Sequence, residues 1–75
     1  MREYEVIHEI FNQCSGNQMR DVYVTEEQID DVDSYMNKFR VGKDIQEDSF
    51  VSENGTVIYD LVVDGLKQRV SFSEI

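Results

Sequence analysis

Apolar and polar residues alternate most regularly in the last third of the chain. Over 56–63, Val57, Tyr59, Leu61 and Val63 share one face while Thr56, Asp60 and Asp64 point away, the period-2 mark of a half-buried strand. Ile58 and Val62 add apolar surface to the second face, which predicts a central strand covered in part on both sides. In the next run Leu66, Val70 and Phe72 point inward, Gln68 breaks the pattern, and Lys67, Arg69, Ser71 and Ser73 point outward. Charged outward positions predict an edge strand guarded against pairing with neighbours. Asn54-Gly55 and Asp64-Gly65 bracket the first of these runs. Both suit the two-residue type I′ turn, whose central residues need positive φ. The segment 44–74 therefore reads as a three-stranded antiparallel meander. In its first strand Ile45 and Val51 agree in phase and Phe50 does not, which predicts a bulge over 47–49.

A different period governs the middle of the chain. Val32, Tyr35, Met36 and Phe39 stand at i, i+3, i+4 and i+7, one face of a 3.6-residue repeat. Asp30 or Asp31 suits the N-cap, Asp33 falls in the first turn, and Lys38 and Arg40 in the last. Gly42 follows as a left-handed stop. These signals together predict a helix across 31–41.

The first segment supports two readings. On a helical wheel Tyr4, Val6, Ile7, Ile10, Phe11 and Cys14 fall within one arc of about 160°, with Gly16 as a C-terminal cap. Against the helix, six of the eight residues over 4–11 are β-branched, aromatic or otherwise poor helix formers, and no capping residue precedes them. The alternation of Tyr4, Val6, His8 and Ile10 against Glu3, Glu5 and Glu9 favours a strand, with Ile7 and Phe11 as exceptions. Residues 12–20, with Gly, Ser and several amides, read as a loop, and 21–25 as a short strand.

The predicted fold is one small α+β domain over 1–75, a two-layer antiparallel sheet with one helix, in the order β-β-α-β-β-β. With a helical first element the order becomes α-β-α-β-β-β. One helix covers one face of such a sheet, so the other face must be polar or meet a partner.

Composition narrows the functional classes. The chain has 75 residues, near the lower limit for folding on burial alone, and small cores of this kind give about 3–5 kcal/mol. Association adds to such a core, which makes a homodimer an expected arrangement. An apolar fraction of 40% with eight aromatics is too rich for a disordered chain. The net charge of −9, from 16 acidic and 7 basic residues, repels phosphate backbones and anionic lipid, so neither nucleic acid nor a membrane is an expected partner. The sequence lacks a signal-peptide pattern and an apolar run long enough to span a bilayer. With a single cysteine, Cys14, it has no intrachain disulfide, and a cytoplasmic protein is expected.

Candidate chemistry is sparse. Cys14, in the expected 12–21 loop, is the candidate reactive thiol; reactivity requires a nearby cation or helix N-terminus to lower its pKa, and the surrounding charge is mostly negative. His8 is the single histidine. Six residues of strand put it nearly 20 Å from Cys14, and six helical steps put it about 120° away around the axis, so neither geometry makes a dyad. Asp31 and Asp33 resemble the start of a calcium loop, but Met36 stands where that loop needs Gly and Gly42 where it needs Glu; helix capping accounts for both aspartates. One Cys and one His do not form a usual zinc site, and no phosphate-cradling or nucleophile-elbow motif occurs. No metal or cofactor is expected.

These observations favour a non-catalytic protein-interaction or self-associating domain, with Ile58 and Val62 marking the partner face. The competing reading is a thiol-dependent small enzyme or redox sensor centred on Cys14. A third places a small-molecule or partner site in the expected loop at Asn17, Arg20 and Asp21.

Overall fold

The computed structural model describes residues 2–14 and 17–75, and the side chains of 2–11 and 21–75. Its elements run β1 (Arg2–Cys14), β2 (Asn17–Ile29), α1 (Val32–Met36), β3 (Ile45–Val51), β4 (Val57–Val63) and β5 (Leu66–Glu74). The five strands make one antiparallel sheet in the order β2-β1-β5-β4-β3. The protein is mostly sheet, with one short helix among the described residues.

The first segment is a strand, which corrects the helical alternative. Ile7 and Phe11 stop being exceptions once both faces of the sheet are considered. Tyr4, Val6 and His8 lie beside Glu74, Phe72 and Val70 on the face that carries the core, while Ile7 and Phe11 lie on the other face. The expected loop over 12–20 is also corrected. Residues 12–14 and 17–20 extend the two strands, and Cys14 pairs with Asn17. Amide residues are weak strand formers alone, and here the ladder from β1 overrides that preference. Past Thr25 the second strand continues to Ile29, whose side chain is buried in the core.

The helix is shorter than its apolar stripe. Asp31 caps it, accepting from the Asp33 N–H at 3.1 Å and from Ser34 Oγ at 2.9 Å. Beyond Met36 the backbone tightens into i→i−3 bonds, Phe39 N to Met36 O at 2.9 Å and Arg40 N to Asn37 O at 3.2 Å, as helix ends commonly do. Helix and turn together keep Val32, Tyr35, Met36 and Phe39 against the sheet. Lys38 and Arg40 therefore lie outside the helix and do not serve its last turn.

Arg40 has a different task. All five of its N–H groups donate: to Glu47 Oε1 and Oε2 at 2.6 and 2.9 Å, to Asp33 Oδ1 at 2.8 Å, to the Asp33 carbonyl at 3.0 Å and to Asn37 Oδ1 at 2.8 Å. The guanidinium ties the helical turn to β3 in the fork geometry that suits carboxylates. Those two carboxylates hold the Arg40 charge more firmly than an isolated guanidinium.

Gly42 is not a left-handed cap. A Cβ there would stand 2.6 Å from Val63 Cγ1 and 2.8 Å from Asp64 Oδ2, so close approach explains the glycine. The Asp64 carboxylate accepts from the backbone N–H of Lys43 at 3.1 Å and of Asp44 at 2.9 Å, which fixes the start of β3. Asp64 and Gly65 have φ of 49° and 85°, the type I′ turn that the dipeptide predicts. The Asn54-Gly55 turn differs. Gly55 N donates to Ser52 O at 3.0 Å and Ser52 N to Thr56 O at 2.9 Å, so this is a three-residue loop that closes with Gly55 in the left-handed region.

Two expectations for the meander fail. The β3–β4 register is continuous from Ile45↔Val63 to Val51↔Val57, so there is no bulge; Phe50 pairs with Ile58 on the second face. The last strand, β5, is central rather than an edge, because β1 pairs along it. β4 lies between β5 and β3.

The core comprises Val6, Ile29, Met36, Tyr59, Leu61, Val63, Val70 and Phe72. Tyr4, Tyr35 and Tyr59 meet the Phe72 ring edge-on, with centroids 6.4, 5.7 and 5.8 Å away. Such pairs add to what burial alone gives. Gln68, the polar break in the β5 pattern, accepts from His8 Nε2 at 2.8 Å; the His8 ring lies 4.7 Å from Phe39.

Two measurements check this packing. Arg40→Gln should lower stability by about 1–2 kcal/mol in urea unfolding, an effect that shrinks with added salt. Burial, reinforced by the nearby Asp33 carboxylate, pushes the Tyr59 phenol above its ordinary range. Unfolded tyrosine ionises near ~10 while folded Tyr59 keeps its proton. Its stabilising contribution is therefore complete below that pH and declines as pH rises beyond it. The alkaline fall in urea midpoint should be shallower in Tyr59→Phe than in the parent chain.

Candidate functional site

The face of the sheet away from α1 carries apolar groups on several strands, with charged residues among them. Reading the pairing across all five strands gives its rows. One row runs Val24, Ile7, Ser71, Ile58, Phe50. The next runs Val22, Glu9, Arg69, Asp60, Asp48. A third includes Phe11, Lys67, Val62 and Gln46. Apolar groups thus stand on four of the five strands within one row.

Their exposure follows strand position. At the β2 edge Val22 and Val24 are 46% and 58% exposed, and at the β3 edge Phe50 is 47% exposed. Between them Ile7, Ile58 and Val62 are half-buried. Singly exposed apolar residues are ordinary; here two adjacent pairs, Val24 with Ile7 and Ile58 with Phe50, share a row and are parted by Ser71.

Charge is arranged around these rows. Arg69 Nε donates to Asp60 Oδ1 at 2.7 Å, and its second nitrogen reaches Oδ2 at 3.3 Å. Asp60 holds the Arg69 guanidinium in its charged form. Lys67 Nζ lies 5.5 Å from the Phe11 ring centroid. Lys67 and Arg69 therefore sit on the open face of a central strand, which corrects their reading as edge guards. Glu3, Glu5, Glu26 and Asp48 complete an acidic border on the same face.

The expected site residues fall in three places. Ile58 and Val62 lie on this open face of β4. Cys14 belongs to β1, and Asn17, Arg20 and Asp21 to β2, so they occupy paired strands rather than a loop. The side chains of Cys14, Asn17 and Arg20 lie outside the described residues. Asp21 is exposed on the core-bearing face, opposite Ile10.

Sequence reasoning missed Val22, Val24 and Phe50 as members of one surface. The available signal was the run of Val22, Tyr23 and Val24, apolar on both faces of its strand. No local rule shows that β2 ends up at a sheet edge.

Among the described residues no group of three or more His, Cys, Asp or Glu side chains is placed to hold a metal ion. No described helix is long and apolar enough to cross a membrane.

The open face and the core should respond differently to substitution. Ile58→Lys should shift the thermal midpoint by only a few degrees, since Lys keeps its stem on the surface and its charge in water. Leu61→Ala, one residue beyond Asp60 and wholly buried, should cost about 2–5 kcal/mol and leave little folded protein. Circular dichroism melts compare the two. The chain matches no protein-family model, and neither the curated proteins nor the solved structures searched contain a match to it.

Proposed function

We propose that this protein acts by contact rather than by catalysis. In this reading the sheet and its helix form a two-layer α+β unit whose open face, centred on Ile58 and Val62, binds a protein partner. One observation carries the proposal: Val24, Ile7, Ile58 and Phe50 share a row on a face that α1 does not cover. Burying such a row against another surface removes apolar area from water at about 25 cal/mol per Å².

The border suggests the partner's character. Glu3, Glu5, Glu9, Glu26, Asp48 and Asp60 outnumber Lys67, Arg69 and, by its register position, Arg20 on this face. Negative potential steers a basic protein surface inward and repels phosphate backbones. The partner is thus expected to present aliphatic groups flanked by Lys or Arg.

Affinity capture from the native host, read by quantitative mass spectrometry, tests this. The parent chain should retain a protein that Ile58→Lys and Val62→Glu both lose by about tenfold or more. Val41→Lys, exposed in the segment between α1 and β3 and outside the strand rows, should retain it. Equal retention by all four proteins would count against the open face as the contact site.

A further inference from the structure

The sheet has two free edges, β2 and β3, and they are not equivalent. An exposed edge strand offers unpaired N–H and C=O groups to any strand that can lie beside it, unless charge or shape prevents it. Which β2 groups point outward follows from the ladder. Ile75 N donates to Glu3 O at 2.9 Å, so Glu3 turns its backbone toward β5, and by alternation so do Glu5, Ile7 and Glu9. Their β2 partners, Gln28, Glu26, Val24 and Val22, therefore turn their backbone groups away from β1, to the open edge.

From this we infer that the β2 edge receives a second copy of this chain, pairing antiparallel about a two-fold axis at Tyr23 to give a continuous ten-stranded sheet. Tyr23 is the midpoint of Asn17–Ile29, so a two-fold there matches the whole strand with itself. Val22 then lies opposite Val24 of the second copy, Asp21 opposite Thr25, and Arg20 opposite Glu26. No like charges are directly opposed. The pairs Val22–Val24 and Arg20–Glu26 are those whose N–H and C=O groups face outward, and they supply about eight backbone hydrogen bonds across the two-fold.

The exposure fits this use. Val22, Tyr23 and Val24 are 46%, 56% and 58% exposed, so an added strand covers apolar side chains on both faces at once. The net charge of −9 opposes it at one kind of contact, where Asp21 of each copy stands diagonal to Glu27 of the other at roughly 7–8 Å. Glu26 and its copy lie six residues apart along the paired strands, roughly 20 Å, beyond the ~8 Å screening length at physiological salt.

The other edge lacks this complementarity. A two-fold at the midpoint of Ile45–Val51 puts Asp48 against Asp48, and the Glu47 carboxylate beside it is held by Arg40. With one permissive edge per chain, assembly closes at two copies instead of growing into a fibre. The inference stands apart from the open-face reading, since it uses the backbone edge of β2 and does not involve Ile58 or Val62.

Sedimentation equilibrium of the full chain across about 5–500 µM, a range suited to a small interface, should show a monomer–dimer equilibrium. Amide exchange of Val22 and Val24 should slow as concentration rises. Val24→Pro removes an outward N–H without taking one from the β1 ladder, so it should be monomeric, whereas Val24→Thr should still dimerise. Ile58→Lys should leave the dimer intact. A monomer throughout the range, concentration-independent exchange at Val22 and Val24, or a dimer lost in Ile58→Lys but kept in folded Val24→Pro would each overturn the inference.

Discussion

The pairing of β1 with β5 is the constraint on which the rest of the structure depends. It joins two locally formed units, the long N-terminal hairpin and the C-terminal meander, into one sheet. At its centre Val6 lies beside Phe72, and both are buried. The Phe72 ring then collects Tyr4 from the hairpin, Tyr35 from the helix and Tyr59 from the meander. Apolar area from three separate stretches is removed from water together, which is how a chain this small accumulates enough burial to offset its conformational entropy.

Helix placement follows from that sheet. The chain must travel from the β2 edge to the β3 edge, and α1 makes this passage across one face. Asp31 opens the helix, its apolar stripe meets the sheet, and Arg40 joins the following turn to Glu47 on β3. The clamp is electrostatic and half-exposed, so its strength comes from geometry, with every donor engaged. Asp64 complements it from the opposite direction, since one residue both forms the β4–β5 turn and holds the start of β3.

The remaining surfaces are what this economy leaves over. A five-stranded sheet has two faces and two edges, and a helix of five residues covers part of one face. The open face keeps an apolar row within an acidic border, and the β2 edge keeps its outward backbone groups beside exposed valines. The contacts proposed for these surfaces call on neither a nucleophile nor a metal. The proposed face and edge contacts share Val22 and Val24 yet differ in kind, one relying on side-chain area and the other on backbone hydrogen bonds.

Local physics made much of this fold legible. Alternation over 57–63, the positive-φ demand at Asp64 and Gly65, the Asp31 cap and the stripe from Val32 to Phe39 each depend on residues close in sequence, and each could be read from them. The residues it misplaced were those whose role depends on distant strands. Phe50 and Ile7 looked out of phase until each acquired a neighbour on the second face; Lys67 and Arg69 looked like edge guards until β1 arrived beside them. Residues 12–20 looked like a loop because amide side chains have little strand preference of their own, and a paired ladder supplies what propensity does not. The sequence by itself determined the Asp64-Gly65 turn, the Asp31 cap and which residues of β4 share a side. Strand neighbours, edges and the uncovered face were decided only by tertiary structure, because pairing register is a property of two segments at once and leaves no mark on either alone.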